Sequence, residues 1–258
     1  MKYCLFVKED DESKRIAEYI EEKITLKMDK KNPDIVVSIG GDGTILQAFH
    51  TYPKAIIFGL HTGHLGFFAN YNPDTKDDLI NDINQGIYNI SDIDLLSCKM
   101  EEFNGNIIEL NALNEITVLC PNKTLIMDVR IDGEYLERFR GTGLCVSTTL
   151  GSTAYNKSLH GAVVDHDLCC MQLAEMASIN SNAFRTLGSP LVLSKNRVVE
   201  LSSKTPLELY ISIDNLFYNI NDFKKINLFY KGETMKMGYH TEEGFIKRIG
   251  RTFINSGI

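Results

Sequence analysis

The chain has 258 residues, of which 43% are hydrophobic and 24% are charged. These fractions are typical of a globular protein with a sizeable core, and they exclude a disordered or fibrous chain. The formal net charge is −7 and no basic block compensates for it, so we expect no nucleic-acid partner and no membrane-surface partner. No segment is apolar over the length of a membrane span, and residues 8–15 turn polar too early for a signal peptide.

The six cysteines are scattered along the chain without CxxC spacing. Most of them lie in apolar surroundings, where a cysteine usually acts as a small buried hydrophobic residue. We therefore expect reduced thiols, a cytoplasmic location and no metal site built from protein side chains.

Residues 1–92 alternate between predicted strands and predicted helices. Continuous apolar runs predict buried strands at residues 3–7, 34–40 and 55–60. Amphipathic or polar patterns predict helices at residues 12–24, 45–52 and 74–86, the last ending at Gly86. This order favours an α/β domain with a Rossmann-like parallel sheet over residues 1–92, completed by the tail at about 240–258.

From about residue 93 the pattern changes to the two-residue alternation of half-buried strands. Asp132 and Gly133 separate two such stretches and predict a two-residue hairpin turn. One helix is expected at residues 169–180. We therefore predict a second domain over residues 93–239 that is mainly antiparallel and β-sandwich-like.

The stretch SIGGDGTILQAFH (residues 38–50) surrounds one carboxylate, Asp42, with three glycines. A buried strand followed by a glycine-rich turn and a helix N-terminus presents backbone N–H groups to an anion, and phosphate is the obvious candidate. The stretch is neither a Walker A loop nor a GxGxxG turn. By itself, Asp42 is either a turn or cap residue, or a group that binds a metal or accepts a proton beside a phosphate.

Other segments show a resemblance to a known family. The stretches HTGHLGFFA (61–69), LNEI (113–116), FRGTGLCVSTTLGSTAYNKSLHGAVV (139–164) and EMASIN with FRTLGSPLVL follow GGDGT in order. Together they resemble bacterial NAD kinases. The resemblance implies transfer of the terminal phosphoryl of ATP, with Mg²⁺ or another divalent cation, to the 2′-hydroxyl of the adenosine ribose of NAD. It also implies that polyphosphate is a possible donor and that the protein is a homodimer or homotetramer.

The resemblance also assigns roles to individual residues. Asp42 matches the family's general base, and a loose phosphoryl-transfer transition state needs only late proton removal. Residues that match the family's substrate-binding and nucleotide-binding positions are Gly41, Gly43, Thr44, Phe67, Asn114, Glu115, Arg140, Thr142, Thr153, Ala154, Tyr155, Asn156, Ser158, Ala177 and Asn215.

Several positions depart from the family pattern. Thr142 stands where the family typically has aspartate, and His160 stands where it has glycine. Other departures are Thr149, Leu150, Phe184 and Asn215. Two alternatives therefore stay open: another GGDG-type kinase with a lipid or nucleoside acceptor, and an NAD-binding regulator with weakened catalysis.

Overall fold

The computed structural model describes residues 1–63, 66–241 and 243–254. The chain forms two compact units, one built from Met1–Ile93 and Thr234–Ile258 and the other from Asp94–Glu233. Within the described residues, no helix combines the length and the apolar character needed to cross a membrane.

The first unit is a parallel sheet with flanking helices. Its strands are β1 (Lys2–Val7), β2 (Lys27–Met28), β3 (Ile35–Gly40) and β4 (Ile56–His61). Its helices are α1 (Asp11–Lys23), α2 (Asp42–Thr51), α3 (Lys76–Gln85) and α5 (Phe245–Ile249), the last followed by a π-helical turn over Gly250–Ile254. The strands pair in the order β2, β1, β3, β4, all parallel, and Lys236 and Met237 near the chain's C-terminus pair with β4. The predicted parallel sheet is confirmed.

Burial explains why these strands read as continuous apolar runs. Every residue of β3 is buried, and helices α1 and α2 both pack against this strand. Polar side chains cap the starts of two helical segments. The carboxylate of Asp10 accepts the N–H of Ser13 at the start of α1, and Asn72 forms a capping box with Thr75 before α3. The Gly40–Asp42 turn joins the buried strand β3 to the start of α2.

The second unit is antiparallel, as predicted. Its strands are β5 (Asn89–Glu102), β6 (Ile107–Ala112), β7 (Glu115–Leu119), β8 (Leu125–Ile131), β9 (Glu134–Gly141), β10 (Gly143–Thr148), β11 (Cys170–Met176), β12 (Leu191–Ser194), β13 (Val199–Ile213) and β14 (Leu216–Tyr239). The unit boundaries fall within β5 and β14. One row of strands runs β12, β11, β10, β7, β13, and a 3-10 turn (Leu150–Thr153) leads into the short helix α4 (Tyr155–Ser158).

Two local expectations have opposite outcomes. Asp132 and Gly133 have φ angles of 52° and 82°, so the predicted hairpin turn between β8 and β9 is confirmed. The helix predicted at 169–180 is wrong, because residues Cys170–Met176 form β11. Met171 and Leu173 face the main core while Gln172 and Ala174 are buried on the opposite face. A strand buried on both faces loses the polar alternation that would have identified it.

One face of the β7–β10–β11–β13 sheet is polar and buried. Cross-strand pairing places Ser147 opposite Glu115 and Gln172, and Thr117 opposite Ser212. Each of these side chains is less than 9% exposed. Because buried polar groups need hydrogen-bond partners, this polar sheet face requires either covering protein groups or a ligand.

Candidate active site

Asp42 is the first residue of α2, directly after the N-cap Gly41. Its carboxylate accepts two backbone hydrogen bonds, from the N–H of Phe67 to Oδ2 at 2.7 Å and from the N–H of Phe68 to Oδ1 at 3.1 Å. Asp42 is therefore more than a local turn residue, because it fixes a loop that lies 25 residues further along the chain.

This loop approaches Asp42 closely because residue 66 is glycine. A Cβ atom at Gly66 would overlap the Asp42 carboxylate. The buried Arg248 also binds this loop, donating from Nη1 to the carbonyl of Phe67 at 2.6 Å and from Nη2 to Asn70 Oδ1 at 3.2 Å. The C-terminal segment thus contributes to the surroundings of Asp42.

The electrostatic surroundings favour proton binding at Asp42. Burial raises the pKa of its carboxyl above the ordinary value, although the two backbone N–H donors and the Arg248 guanidinium act in the opposite direction. A carboxylate with increased proton affinity is better suited to accept a proton than a surface aspartate.

A cavity of about 360 Å³ lies within the same unit. Its lining includes the cationic side chains of Lys247 and Arg251 together with His61. Glu243 partly balances this charge through an ion pair with Arg251 at 3.0 Å, and burial lowers the pKa of His61 so that its ring favours the neutral form. Lys247 is exposed at the cavity and is the side chain best placed to attract an anion.

In the second unit, Asp214 organises the start of β7. Its Oδ2 accepts the N–H of Leu113 at 2.9 Å, and its Oδ1 accepts the N–H groups of Asn114 at 2.7 Å and Glu115 at 3.2 Å. These three donors would otherwise be buried without partners. Asp214 therefore determines how the Asn114 and Glu115 side chains are presented.

Several polar atoms next to this turn are buried and lack hydrogen-bond partners within the described residues. They are Asn114 Oδ1, Glu115 Oε2, and the amide Nδ2 and Oδ1 of Asn156. Asn156 is fully buried, and a Cβ at Gly161 would overlap its amide group. Since a buried polar atom without a partner costs about 1–3 kcal/mol, these atoms have unused capacity for hydrogen bonds.

Glu115 is electrostatically unusual. Burial, together with the nearby negative charge of Asp214, raises the pKa of Glu115 to about 8. The backbone N–H of Tyr155 donates to the carboxylate and opposes this shift. At neutral pH the carboxyl group is therefore largely protonated, and a protonated carboxyl can both donate and accept a hydrogen bond.

A second group of predicted residues lies around the end of β9. The Arg140 guanidinium carbon lies 3.8 Å from the centre of the Phe184 ring, a cation–π arrangement. The N–H of Thr142 donates to the carbonyl of Met176 at 2.9 Å, beside Ala177, which has a positive φ of 46°. Arg140, Thr142, Ala177 and Phe184 are thus neighbours through β9 and the end of β11.

The structure places the predicted residues in three groups. Gly41, Asp42, Gly43, Thr44 and Phe67 lie in the first unit, whereas the other residues lie in the second unit, either at the Asn114–Glu115 turn or around Arg140. The side chains of Tyr155, Ser158 and Thr142 are exposed, and the Thr153 hydroxyl donates to the carbonyl of Leu150. Asn215 is half-buried next to Asp214. Residues 64 and 65 of the HTGHLGFFA stretch are outside the described residues.

Comparison with family models identifies the family. A model of the ATP-NAD kinase N-terminal domain matches residues 5–88, and a model of the ATP-NAD kinase C-terminal domain matches residues 113–223. The chain belongs to the ATP-NAD kinase family. The two matched stretches contain Asp42 and the Asn114–Glu115 turn, respectively.

Relatives within this family match the chain almost from end to end. It is 39% identical to the NAD kinase of Geobacillus stearothermophilus over 98% of this chain and 96% of that protein. It is also 39% identical to the NAD kinase of Staphylococcus aureus strain JH9 over 99% of this chain and 98% of that protein. The family resemblance predicted from the motifs is therefore confirmed.

Solved structures share the fold. An NAD kinase from Archaeoglobus fulgidus in complex with ATP matches with a TM-score of 0.77 and 26% identity, covering 98% of both chains. A yeast NADH kinase in complex with NADH matches with a TM-score of 0.75 over 88% of this chain and 68% of that chain; at 22% identity this match supports the fold alone.

Two departures from the ATP-NAD kinase pattern have visible structural consequences. At Thr149 the family resemblance implies proline; the residue has a φ of −54°, which proline would also adopt, and its hydroxyl contacts the carbonyls of Leu168 and Cys170 at 2.7 and 3.0 Å. His160, in place of glycine, has a φ of 61°. An L residue in this left-handed region is strained, which explains why glycine suits the position.

Two residues important to the site were missed by sequence reasoning. Asp214 was overlooked beside Asn215, although an acidic residue directly after a buried strand was a usable signal. Arg248 lies in a short C-terminal segment, and its sequence context gave no indication that it reaches the loop at Phe67. Among the described residues, no group of three His, Cys, Asp or Glu side chains is arranged to hold a metal ion.

The raised pKa of Glu115 gives a testable pH dependence. The folded chain holds an extra proton between the unfolded pKa of about 4.3 and the folded pKa, so stability falls as the pH rises through this window. Replacing Glu115 with Gln removes this titration. We therefore compare the free energy of unfolding of Glu115→Gln with that of wild type, measured by urea unfolding at about pH 6 and about pH 9. The difference should shift in favour of the variant by at least about 1 kcal/mol between the two pH values, because only the wild type loses stability.

Glu109→Gln serves as the control for this experiment. Glu109 is exposed, and its pKa is lowered by Lys99, so its titration lies below the pH range tested. The control should show no comparable gain between the two pH values. A constant stability difference for Glu115→Gln at both pH values would contradict the assignment of the buried proton.

Proposed function

We propose that the protein is a phosphotransferase that moves the terminal phosphoryl of ATP, or of polyphosphate, to the 2′-hydroxyl of the adenosine ribose of NAD and so forms NADP. The family membership and the near full-length NAD kinase relatives support NAD over a lipid or nucleoside acceptor. They also favour an active kinase over a regulator that has lost catalysis.

One observation carries the acceptor assignment: the cluster of buried, partnerless polar atoms at Asn114, Glu115 and Asn156. A ribose with vicinal hydroxyls supplies both donors and acceptors to an amide and a carboxyl group. The adjacent segment Thr153–Asn156 adds small residues and an exposed aromatic ring, which suit contact with an adenine base. Arg140 and Ala177 are proposed to contact the remainder of the dinucleotide.

Asp42 is proposed as the proton acceptor for the attacking hydroxyl. Each of its oxygens accepts one backbone N–H, which leaves further lone pairs for a substrate hydroxyl. The two hydrogen bonds fix the carboxylate in position, so little reorganisation is needed when the proton moves. Its raised pKa supports proton acceptance as the transferred phosphoryl bonds to the ribose oxygen.

The donor phosphates are proposed to bind near the start of α2, where the space around the Cα atoms of Gly41 and Gly43 is open. Thr44 is buried and its N–H donates to the carbonyl of Gly41, so its proposed part is to stabilise this turn. The cations Lys247 and Arg251 on the neighbouring cavity support binding of a polyanion. Since the described residues offer no three-ligand metal cluster, a divalent cation would be held chiefly by the donor phosphates, with Asp42 as the nearby carboxylate. When bound, such a cation would neutralise charge on the phosphates.

The assembly and location of the protein are further parts of the proposal. A homodimer or homotetramer follows from the family resemblance, and exposed apolar side chains at Leu168, Leu187 and Val192 in the second unit are consistent with subunit contacts. All six cysteines are free, which supports a reducing, cytoplasmic location.

Asp42→Asn tests the proposed base. We expect the turnover number for NADP formation to fall by roughly two to four orders of magnitude, because the amide cannot accept the proton. The variant should still bind NAD with little change, measured by calorimetry. It should also lose about 1–3 kcal/mol of stability, because the amide group opposes a backbone donor at Phe67 or Phe68.

Asp10→Ala is the matched control, since it removes a carboxylate that accepts a backbone N–H at the start of α1. It should cost about 1 kcal/mol of stability and leave the turnover number unchanged. If Asp42→Asn forms NADP at the wild-type rate, Asp42 is not the base.

Thr142→Asp tests the placement of the dinucleotide. Restoring the carboxylate that the family typically has should add a hydrogen bond to a charged group, worth about 1.5–3 kcal/mol. The dissociation constant for NAD should therefore fall by roughly one to two orders of magnitude in calorimetry, whereas Thr142→Ala should leave it nearly unchanged. An aspartate variant with equal or weaker NAD affinity would refute this placement.

A further inference from the structure

Two carboxylates outside the proposed ligand-binding residues hold one loop. Glu137 lies on β9, and its Oε2 accepts the N–H of Leu187 at 2.7 Å. Glu175 lies on β11, where Oε2 accepts the Thr186 hydroxyl at 2.6 Å and Oε1 accepts the N–H of Gly188 at 3.0 Å. Three consecutive loop residues are therefore bound by this pair.

The Glu137 carboxyl group also interacts electrostatically with that of Glu175. Glu137 is only 7% exposed, and its Oε1 is buried with no donor group within reach in the described residues. Burial, and then the adjacent Glu175 carboxylate, raise the pKa of Glu137. Two neighbouring carboxylates in such a site are stabilised when they share one proton, because both cannot be ionised without strong repulsion.

The same loop reaches Arg140. Residues 179–188, the Phe184 loop, begin with Ile179, whose N–H donates to the carbonyl of Arg140 at 2.8 Å. Asn180 Oδ1 accepts the N–H of Thr186 at 2.8 Å, which closes the loop on itself. Phe184 at its tip lies over the Arg140 guanidinium at 3.8 Å. The loop therefore contacts Arg140 through both its backbone and an aromatic ring.

We propose that Glu137 and Glu175 are positioning residues that hold the Phe184 loop and thereby orient Arg140 for NAD. The inference rests on the proposed function for the role of Arg140. The holding of the loop itself can be measured without any ligand.

The groups around the pair define its pH dependence. Glu175 on β11 interacts electrostatically with Glu137, the loop presents the N–H of Leu187, and β8 places Val129 opposite Glu137. On β9 itself, the neighbouring Arg138 is bound bidentately to Asp128 at 2.7 and 2.9 Å. Ionisation of Glu137 at alkaline pH would therefore place a second negative charge beside Glu175, and we expect it to loosen the loop.

A single-tryptophan reporter tests whether Glu137 and Glu175 hold the Phe184 loop. The chain contains no tryptophan, so Phe184→Trp places one reporter at the loop tip, where an indole also stacks on a guanidinium. In this background, Glu137→Ala and Glu175→Gln should raise the acrylamide quenching constant about twofold or more, because the loop is released from its carboxylates. Glu137→Gln should resemble the parent, since its amide replaces the protonated acid: the carbonyl accepts the N–H of Leu187 and the NH₂ donates to Glu175.

The pH response separates the ionisation of Glu137 from simple packing. Quenching of the parent reporter should increase as the pH rises through the raised pKa of Glu137, whereas the Glu137→Gln reporter should show no such increase. If Glu137→Ala leaves quenching unchanged, the loop is not held by the pair. If Glu137→Gln loosens the loop as strongly as Glu137→Ala, the role of a protonated Glu137 is rejected.

Kinetics with the native Phe184 then test the consequence for NAD. Glu137→Ala should raise the KM for NAD about fivefold or more with a turnover number within about twofold of wild type, and Glu137→Gln should restore both values. A loosened loop with an unchanged KM for NAD would overturn the role in NAD binding, although Glu137 and Glu175 would still be shown to hold the loop. Absence of NADP formation by the wild-type protein would reject the proposed function and leave the fluorescence result unaffected.

Discussion

Asp42 in the first unit and Asp214 in the second each accept hydrogen bonds from consecutive backbone N–H groups. This interaction determines the local geometry on which the rest of the proposed chemistry depends. One carboxylate fixes the loop around Phe67 against the start of α2, and the other fixes the Asn114–Glu115 turn at the start of β7. In both places a charged side chain satisfies backbone donors that would otherwise be buried without partners.

The same arrangement leaves other polar groups unsatisfied. Asp214 binds the backbone of residues 113–115, so the Asn114 and Glu115 side chains remain available, and both lie at the edge of the polar sheet face. Burial without partners is unfavourable for the free protein and becomes favourable when a ligand supplies the missing hydrogen bonds. The raised pKa of Glu115 has the same origin, because the group is desolvated and lies near a second carboxylate. Local instability and the proposed ligand recognition therefore have one physical origin in this turn.

Much of the fold followed from local pattern. The parallel sheet was predictable because β3 is buried along its whole length, and the Asp132–Gly133 hairpin was predictable because both residues favour a positive φ. The strand β11 was missed because burial of both faces removes the alternation that marks a strand. The position of Asp214 directly after a buried strand was a local signal, but its partner Leu113 lies 101 residues away, and no local pattern records that contact. Motif resemblance suggested Asp42 and Glu115, but their hydrogen bonds and altered pKa values required the folded chain.

The central claim is that the partnerless atoms at Asn114 and Glu115 bind the adenosine ribose of NAD. Calorimetric titration with NAD and with its analogue lacking the adenosine 2′-hydroxyl tests this claim most directly. The account predicts that the analogue binds roughly ten to a hundred times more weakly to the wild-type protein, because it leaves a buried polar atom without its partner. Equal affinities for the two ligands would contradict the claim.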